Sequence, residues 1–430
     1  MSHPVEAVLL GAGSRGFDAL GSYALRHPDE LRLVAVAEPD PEKLARAAAA
    51  HGIPPERCFR DWQELLAQPQ LAPGLINATM DQVHVPSTIA ALEAGYHVLC
   101  EKPMATTPHD CVRLVRAAER AGRQLQICHV LRYAPFWMAI KQVIERGELG
   151  QLWQVQHTEN VVYWHQAHSF VRGNWGNEER SAPMILAKCC HDLDLLVWQL
   201  GPCRRLSSFG HLSCFREEQA PPGAGQRCLD CGIEPDCPYS AVRLYLNDKT
   251  GWPQNTISVD QSLEARRRAL ETGPYGRCVW RTDNSVVDHQ VINLEFGEGV
   301  LVAFTMHGFS HENTRTVRYG GSRGTLRGHE SGKLELHTYL PQDCQPVDYE
   351  ARSDGHGHGG GDSGLMADFV ETLRNPGREV LTGARASLES HLIAFAAEES
   401  RHGAGWVDMD EYRARIEAEV VAQEAVAKTL

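Results

Sequence analysis

Val5-Glu-Ala-Val-Leu-Leu10 runs directly into Gly11-Ala-Gly13-Ser14-Arg15-Gly16, and a second apolar run, Leu31 to Ala37, ends on Glu38 roughly 20 residues on. Each part has a physical job. Gly11 permits a tight turn off a strand, Gly13 lets the backbone approach a pyrophosphate, and Gly16 lets the following helix pack close to the sheet. The N-terminus of that helix, from Ser14 and Arg15 onward, offers unpaired N–H groups and partial positive charge to phosphates. Glu38 is placed to accept hydrogen bonds from the adenosine ribose. The pattern predicts a dinucleotide site. Glu38 would repel a 2′-phosphate, and Pro39-Asp40 supply no cation for one, so NAD is expected over NADP.

Strand and helix signals continue to alternate from there. Strands are expected near Leu75–Thr79, His97–Glu101 and Gln124–His129. Helices are expected near Phe17–His27, Glu42–His51, Pro86–Ala94 and Pro108–Ala121. Gly95 and Gly122 stand where helix-ending glycines belong, and Thr107-Pro108 reads as an N-cap with a first-turn proline. The alternation implies a doubly wound parallel sheet over residues 1–130. Beyond Arg132 one helix, Phe136–Glu145, gives way to period-two runs: Leu152–Thr158, Leu206–Ser213, Val286–Phe296 and Val300–Met306. These predict a second α/β domain, 131–430, with a large, mostly antiparallel open sheet. It carries an irregular, cysteine-rich insert over 219–280. Helical periodicity returns from Leu365, and a terminal helix is expected from Asp408.

The totals narrow the class. With 430 residues, 43% hydrophobic and 23% charged, the chain suits two globular domains or three. A net charge of −13 argues against a nucleic-acid partner. The N-terminus has no basic-then-apolar leader and no run long enough to span a bilayer, so a cytoplasmic protein without a membrane partner is expected. Its 13 cysteines should then be reduced.

Two places carry candidate chemistry. Glu101-Lys102-Pro103 follows the fourth strand, and strand ends in such sheets face the ligand crevice. Lys102 there can polarise a substrate oxygen. His191-Asp192-Leu-Asp194 opens a helix in the second half, and His191 suits a base near neutral pH.

Together these segments resemble the glucose–fructose oxidoreductase, inositol dehydrogenase and MocA family. The most specific match is Ala90 to Ala105, containing Gly95 and Glu101-Lys102-Pro103. The glycine turn, Leu131-Arg132-Tyr133 and His191-Asp-Leu-Asp194 also fit. The resemblance implies an NAD(P)-linked oxidoreductase acting on a sugar, cyclitol or related polyol, and an open sheet that makes a homo-oligomer, dimer or tetramer. It implies Lys102 as the catalytic lysine, His191 as base or proton relay, and Thr79, His84, Glu101 and Arg132 as cofactor neighbours. The family commonly has an aspartate four residues before the histidine. Here that residue is Ala187, with Lys188 next, so a carboxylate is missing and a cation is added. Like-charge repulsion from Lys188 is expected to depress the pKa of Lys102 or His191.

Tyr163, His165, His168, Arg172, Trp175 and Lys188 are further candidates on the substrate side: Trp175 for stacking on a sugar, Arg172 for hydroxyls or a carboxylate. Cys228, Cys231 and Cys237, with Cys278 as a distant fourth and Cys214 or His211 as alternates, read as a structural zinc site in the insert. His356, His358 and Asp362 lie in a glycine-rich loop, with His358 or Asp362 expected near substrate. Two other functions share the fold: an NAD-dependent, redox-assisted glycosidase, and a non-catalytic dinucleotide-sensing regulator.

Overall fold

The computed structural model describes residues 3–297, 299–350 and 358–429. His356 lies outside them. Six parallel strands form the first sheet: β1 (Val5–Leu10), β2 (Leu31–Ala37), β3 (Cys58–Phe59), β4 (Gly74–Asn77), β5 (His97–Cys100) and β6 (Leu125–Ile127). Their order, 3-2-1-4-5-6, is that of a dinucleotide-binding doubly wound sheet. The expected crossover helices are present at Pro41–His51, His84–Glu93 and Pro108–Ala121. The capping is as read: Thr107 accepts from the Asp110 amide, and Gly122 closes its helix in the left-handed region at φ 60°. The first crossover differs. Ser14–Gly21 is a wide π-helical segment that narrows to α only at Ser22–Arg26.

The second sheet has nine strands: β7 (Leu152–Val162), β8 (Cys203–His211), β9 (His289–Phe296), β10 (Val300–Ser310), β11 (Thr314–Gly321), β12 (Gly324–His329), β13 (Lys333–Thr338), β14 (Asp343–Pro346) and β15 (Trp406–Asp408). Their order is 14-13-12-11-7-10-9-8-15, antiparallel except where β7 lies parallel to β10. Strict alternation of buried and exposed residues along β10 marks a two-faced sheet. Val155, His157, Phe304 and Tyr319 are buried on the inner face, beneath the helix Cys190–Leu200. The outer face carries Leu301, Phe209, Val291 and Trp406, all exposed.

The chain then returns to the first sheet. The Ile127 amide donates to Thr382 O, and Leu373 packs against Gly74. The last helix, Met409–Thr429, lies on Pro108–Ala121, with Arg116 paired to Glu424 at 2.8 Å. Among the described residues no helix is long and apolar enough to cross a membrane.

Candidate functional site

The glycine turn is built for close approach. Gly11 sits at φ +83°, and a Cβ there would meet Ala78 O at 2.4 Å. A Cβ on Gly16 would meet Gly11 O at 1.9 Å, so both positions are closed to larger residues. Gly13 is the opposite case: nothing lies within 4 Å of the place a Cβ would take. That open space beside a helix start fits a pyrophosphate. Glu38 is tied to the turn, accepting from Ala12 N at 2.6 Å and Asp40 N at 3.0 Å. One nearby cation was not foreseen from sequence. Arg46 lies over the Phe17 ring at 4.3 Å and donates to Ala12 O at 3.4 Å. Its place on the first-turn side of a helix is invisible without the packing.

Arg15 does not extend toward a ribose phosphate. It donates to Glu101 at 2.7 Å and to both oxygens of Asp362, at 2.8 and 3.3 Å. This buried triad clamps the glycine turn to the end of β5 and to the start of the helix Gly361–Arg374. Burial would raise the Asp362 carboxyl, but Arg15 and then His358 hold it well below the carboxylate range. His84 is a second strut. Its Nδ1 lies 2.8 Å from Pro103 O and its Nε2 3.1 Å from Thr79 O, so it braces the Glu101-Lys102-Pro103 turn against the loop after β4.

Lys102 leaves that brace toward the second half of the molecule, where its Nζ donates to Ala187 O at 2.8 Å. A backbone carbonyl thus holds the lysine at Ala187, where the resemblance implied a carboxylate. His191 is buried beside it, and neither ring nitrogen has a hydrogen-bond partner. Burial first, and the Lys102 charge second, push its pKa well below the ordinary histidine value. Both causes favour the neutral imidazole over the protonated ring. It stands in a row of rings: His358, expected near substrate from the sequence, at 5.5 Å, and two that the sequence did not single out, His129 at 5.9 Å and His391 beyond His129 at 5.4 Å.

The expected effect of Lys188 is corrected by the structure. Its charge is matched by Glu159 at 3.1 Å, and it acts on His165, after burial, in lowering that pKa. Beneath it Arg315 bridges Glu159 and Asp192, both at 2.7 Å, and His157 contacts Asp192 at 2.8 Å. Burial alone would raise Asp192, but Arg315 and His157 carry it well below the carboxylate range. This network lies under the helix of His191 and fixes its start.

Other candidates are committed elsewhere. Arg132 is buried and paired with Asp194 through two 2.7 Å bonds, with a third to Leu381 O. It buttresses the helix of His191. Arg172 donates to the carbonyls of Arg277 and Tyr239, both at 2.7 Å. Trp175 donates its indole N–H to the buried Asp81 at 3.0 Å. His168 lies in the insert's own core against Tyr245, at 2.6 Å. Tyr163 borders a cleft, and His165 packs behind it against Trp252 at 4.8 Å.

The zinc expectation is also corrected. Cys228, Cys231, Cys237 and Cys278 line one small cavity, yet among the described residues no group of three or more His, Cys, Asp or Glu is arranged to hold a metal ion. Cys228 instead accepts from Arg172 at 3.4 Å, and Cys231 from the Gly225 amide at 3.3 Å. The irregular insert is pinned by guanidinium groups on backbone carbonyls. Buried Arg266 serves Tyr245, Lys249 and Asn247 at 2.7 to 2.9 Å, and Arg227 serves Leu270 at 2.6 Å.

A doubly wound sheet with an open glycine cradle, joined to an open-sheet domain across a lysine and a neutral histidine, defines a dinucleotide-dependent oxidoreductase architecture. The family comparison agrees. Residues 5–129 match the oxidoreductase family's NAD-binding Rossmann fold, and residues 141–409 its C-terminal alpha/beta domain. The chain belongs to the Gfo/Idh/MocA oxidoreductase family and is an NAD-binding oxidoreductase of that family. It is 24% identical over 335 residues to YteT of Bacillus subtilis (strain 168), a protein named as an oxidoreductase, covering 74% of this chain and 76% of that one. It is 32% identical over 195 residues to inositol 2-dehydrogenase 4 of Saccharopolyspora erythraea, covering 45% of this chain and 53% of that protein. That alignment spans only about half of the inositol dehydrogenase. The fold is shared with levoglucosan dehydrogenase in complex with NADH and levoglucosan (TM-score 0.70, 18% identity, 94% and 99% of the two chains). It is shared also with an Agrobacterium radiobacter oxidoreductase in complex with NAD+, L-tartaric acid and magnesium (TM-score 0.68, 17% identity, 95% and 99%).

Proposed function

We propose that this chain is an NAD-linked dehydrogenase that oxidises a hydroxyl of a sugar, cyclitol or related polyol. When bound, the cofactor supplies the hydride acceptor. The protein supplies the rest. Lys102, anchored on Ala187 O, donates a hydrogen bond to the reacting hydroxyl oxygen and stabilises charge developing there. His191 takes the hydroxyl proton. The observation that carries this reading is its burial beside Lys102 with both ring nitrogens unpartnered, a neutral base with nothing else to bind. Glu38 and the engagement of Arg15 by Glu101 and Asp362 support NAD over NADP. The apolar outer face of the nine-stranded sheet supports a homo-oligomer.

The test is to mix the protein with NAD and a panel of sugars, cyclitols and glycosides and follow NADH. One polyol should give NADH, and Lys102→Ala should lower kcat by about 10²-fold or more while NAD still binds. Glycoside cleavage without net NADH would replace this reading with the redox-assisted glycosidase.

A further inference from the structure

The insert between β8 and β9 builds a cleft that the dehydrogenase reading leaves unused. Its volume is about 320 Å³, within the range of small-molecule sites. Tyr163 and Trp164, at the end of β7, form one wall; Arg243, Lys249 and Trp252 of the insert form the other. The Trp252 ring lies 5.3 Å from Trp164 and meets His165 edge-on at 4.8 Å, yet remains 42% exposed. A ring packed on one side and open on the other presents a platform to the C–H face of a sugar.

The charge in this cleft runs against that of the chain. Arg172, Arg243 and Lys249 line it, and no Asp or Glu does, in a protein of net charge −13. Arg172 is spent on carbonyls, and Arg243 gives one bond to Pro235 O at 2.6 Å. Among the described residues neither Arg243 nor Lys249 pairs with a carboxylate. A separate observation points to a ligand. Gln254 lines the cleft and is 2% exposed; its Nε2 donates to Leu244 O at 2.8 Å, while its Oε1 is buried with no partner. An orphaned acceptor of this kind carries a desolvation cost that a ligand hydroxyl removes.

The cleft adjoins the candidate active site. Trp252 rests on His165, whose neighbouring charges are Lys188 and Lys102. The next residues of the insert close on the glycine-turn helix, where Asn255 donates to Asp18 at 3.2 Å.

The geometry points to an outer subsite for an acidic sugar unit: a saccharide ring stacked on Trp252, hydrogen-bonded to Gln254, with an anionic substituent held by Arg243 and Lys249. That this ring is linked to the one oxidised at Lys102 rests on the dehydrogenase reading; the binding of the acidic ring does not.

The experiment titrates the full-length, NAD-loaded protein with methyl β-glucuronide, glucose 6-sulfate, glucose 6-phosphate and neutral methyl β-glucoside, reading tryptophan fluorescence and calorimetry. At least one acidic probe should bind about tenfold or more tighter than the neutral one and weaken with added salt. Which probe wins identifies carboxylate, sulfate or phosphate as the anion. The Arg243→Ala/Lys249→Ala double variant should erase the preference for the acidic probe, and Trp252→Ala should weaken all probes. NAD affinity and the melting temperature should be unchanged in both. Equal binding of acidic and neutral probes, binding of none, or affinities untouched by the variants would overturn the subsite. Lys102→Ala separates the two readings. If no polyol gives NADH but an acidic sugar still binds in this variant and in the parent, the dehydrogenase reading fails and the subsite stands.

Discussion

His191 shows how far one residue's chemistry is set by its surroundings. Burial and the Lys102 charge favour the neutral imidazole, so its folded pKa lies well below the ordinary value near 6.5. The base form therefore persists as the pH falls through that value and is lost only below it. The acid limb of kcat/KM in the free enzyme should lie well under pH 6.5. His191→Asn should cost about 10²–10⁴ in kcat, and a limb at the ordinary histidine pKa would assign the base elsewhere. Arg315 sits one layer deeper. Removing it leaves two buried carboxylates side by side, Glu159 with only Lys188 and Asp192 with only His157 beside it. Arg315→Leu should cost about 3–5 kcal/mol in denaturant unfolding. At this scale the sequence was legible where a motif names a backbone geometry, as at Gly11, Gly13 and Gly16. Arg15, Arg132 and Arg172 were read as reaching ligands because their type permits it. Their partners, Asp362, Asp194 and the carbonyls of the insert, are remote in sequence and could not be counted.

Among the elements, the first sheet follows from its sequence almost strand for strand. Its strands are continuous apolar runs, each helix between them has a marked stop, and both signals are local. The later strands β11 to β15 were not foreseen. β11 and β12 carry glycine at Gly320, Gly321, Gly324 and Gly328, β14 and β15 are only 4 and 3 residues long, and β11 and β15 find their partners, β7 and β8, at a distance in sequence. The insert was read as pinned by a metal because Cys228, Cys231 and Cys237 stand within ten residues of one another. Arg266 does that work instead. Arg266→Ala leaves three backbone carbonyls without their donor and should cost about 3 kcal/mol. Hydrogen exchange and limited proteolysis should show residues 219–276 opening first, while the parallel sheet stays protected. Unchanged protection would mean that the insert is held by other contacts.

For the whole molecule, the outer face of the second sheet exposes several large apolar side chains. Leu301 and Trp406 line a depression of about 460 Å³, and Phe209 and Val291 are exposed on the same face. A second copy covering this face would remove that apolar area from water, at roughly 25 cal/mol per Å². Sedimentation should find a dimer or tetramer, and a Leu301→Arg/Trp406→Glu double variant should shift it toward monomer with the fold intact. A monomeric parent would contradict this. The helix that carries His191 lies on the other side of that sheet, so the monomeric variant should keep NAD binding.

The central claim is that a carbinol hydride leaves the substrate while Lys102 and His191 manage the hydroxyl proton. The most direct measurement supplies NAD and carbinol-deuterated sugars and cyclitols and follows the label by NMR. The account predicts deuterium in the reduced nicotinamide and its disappearance in Lys102→Ala. Substrate consumed with the label absent from the cofactor pool, or released together with a cleaved sugar, would contradict it.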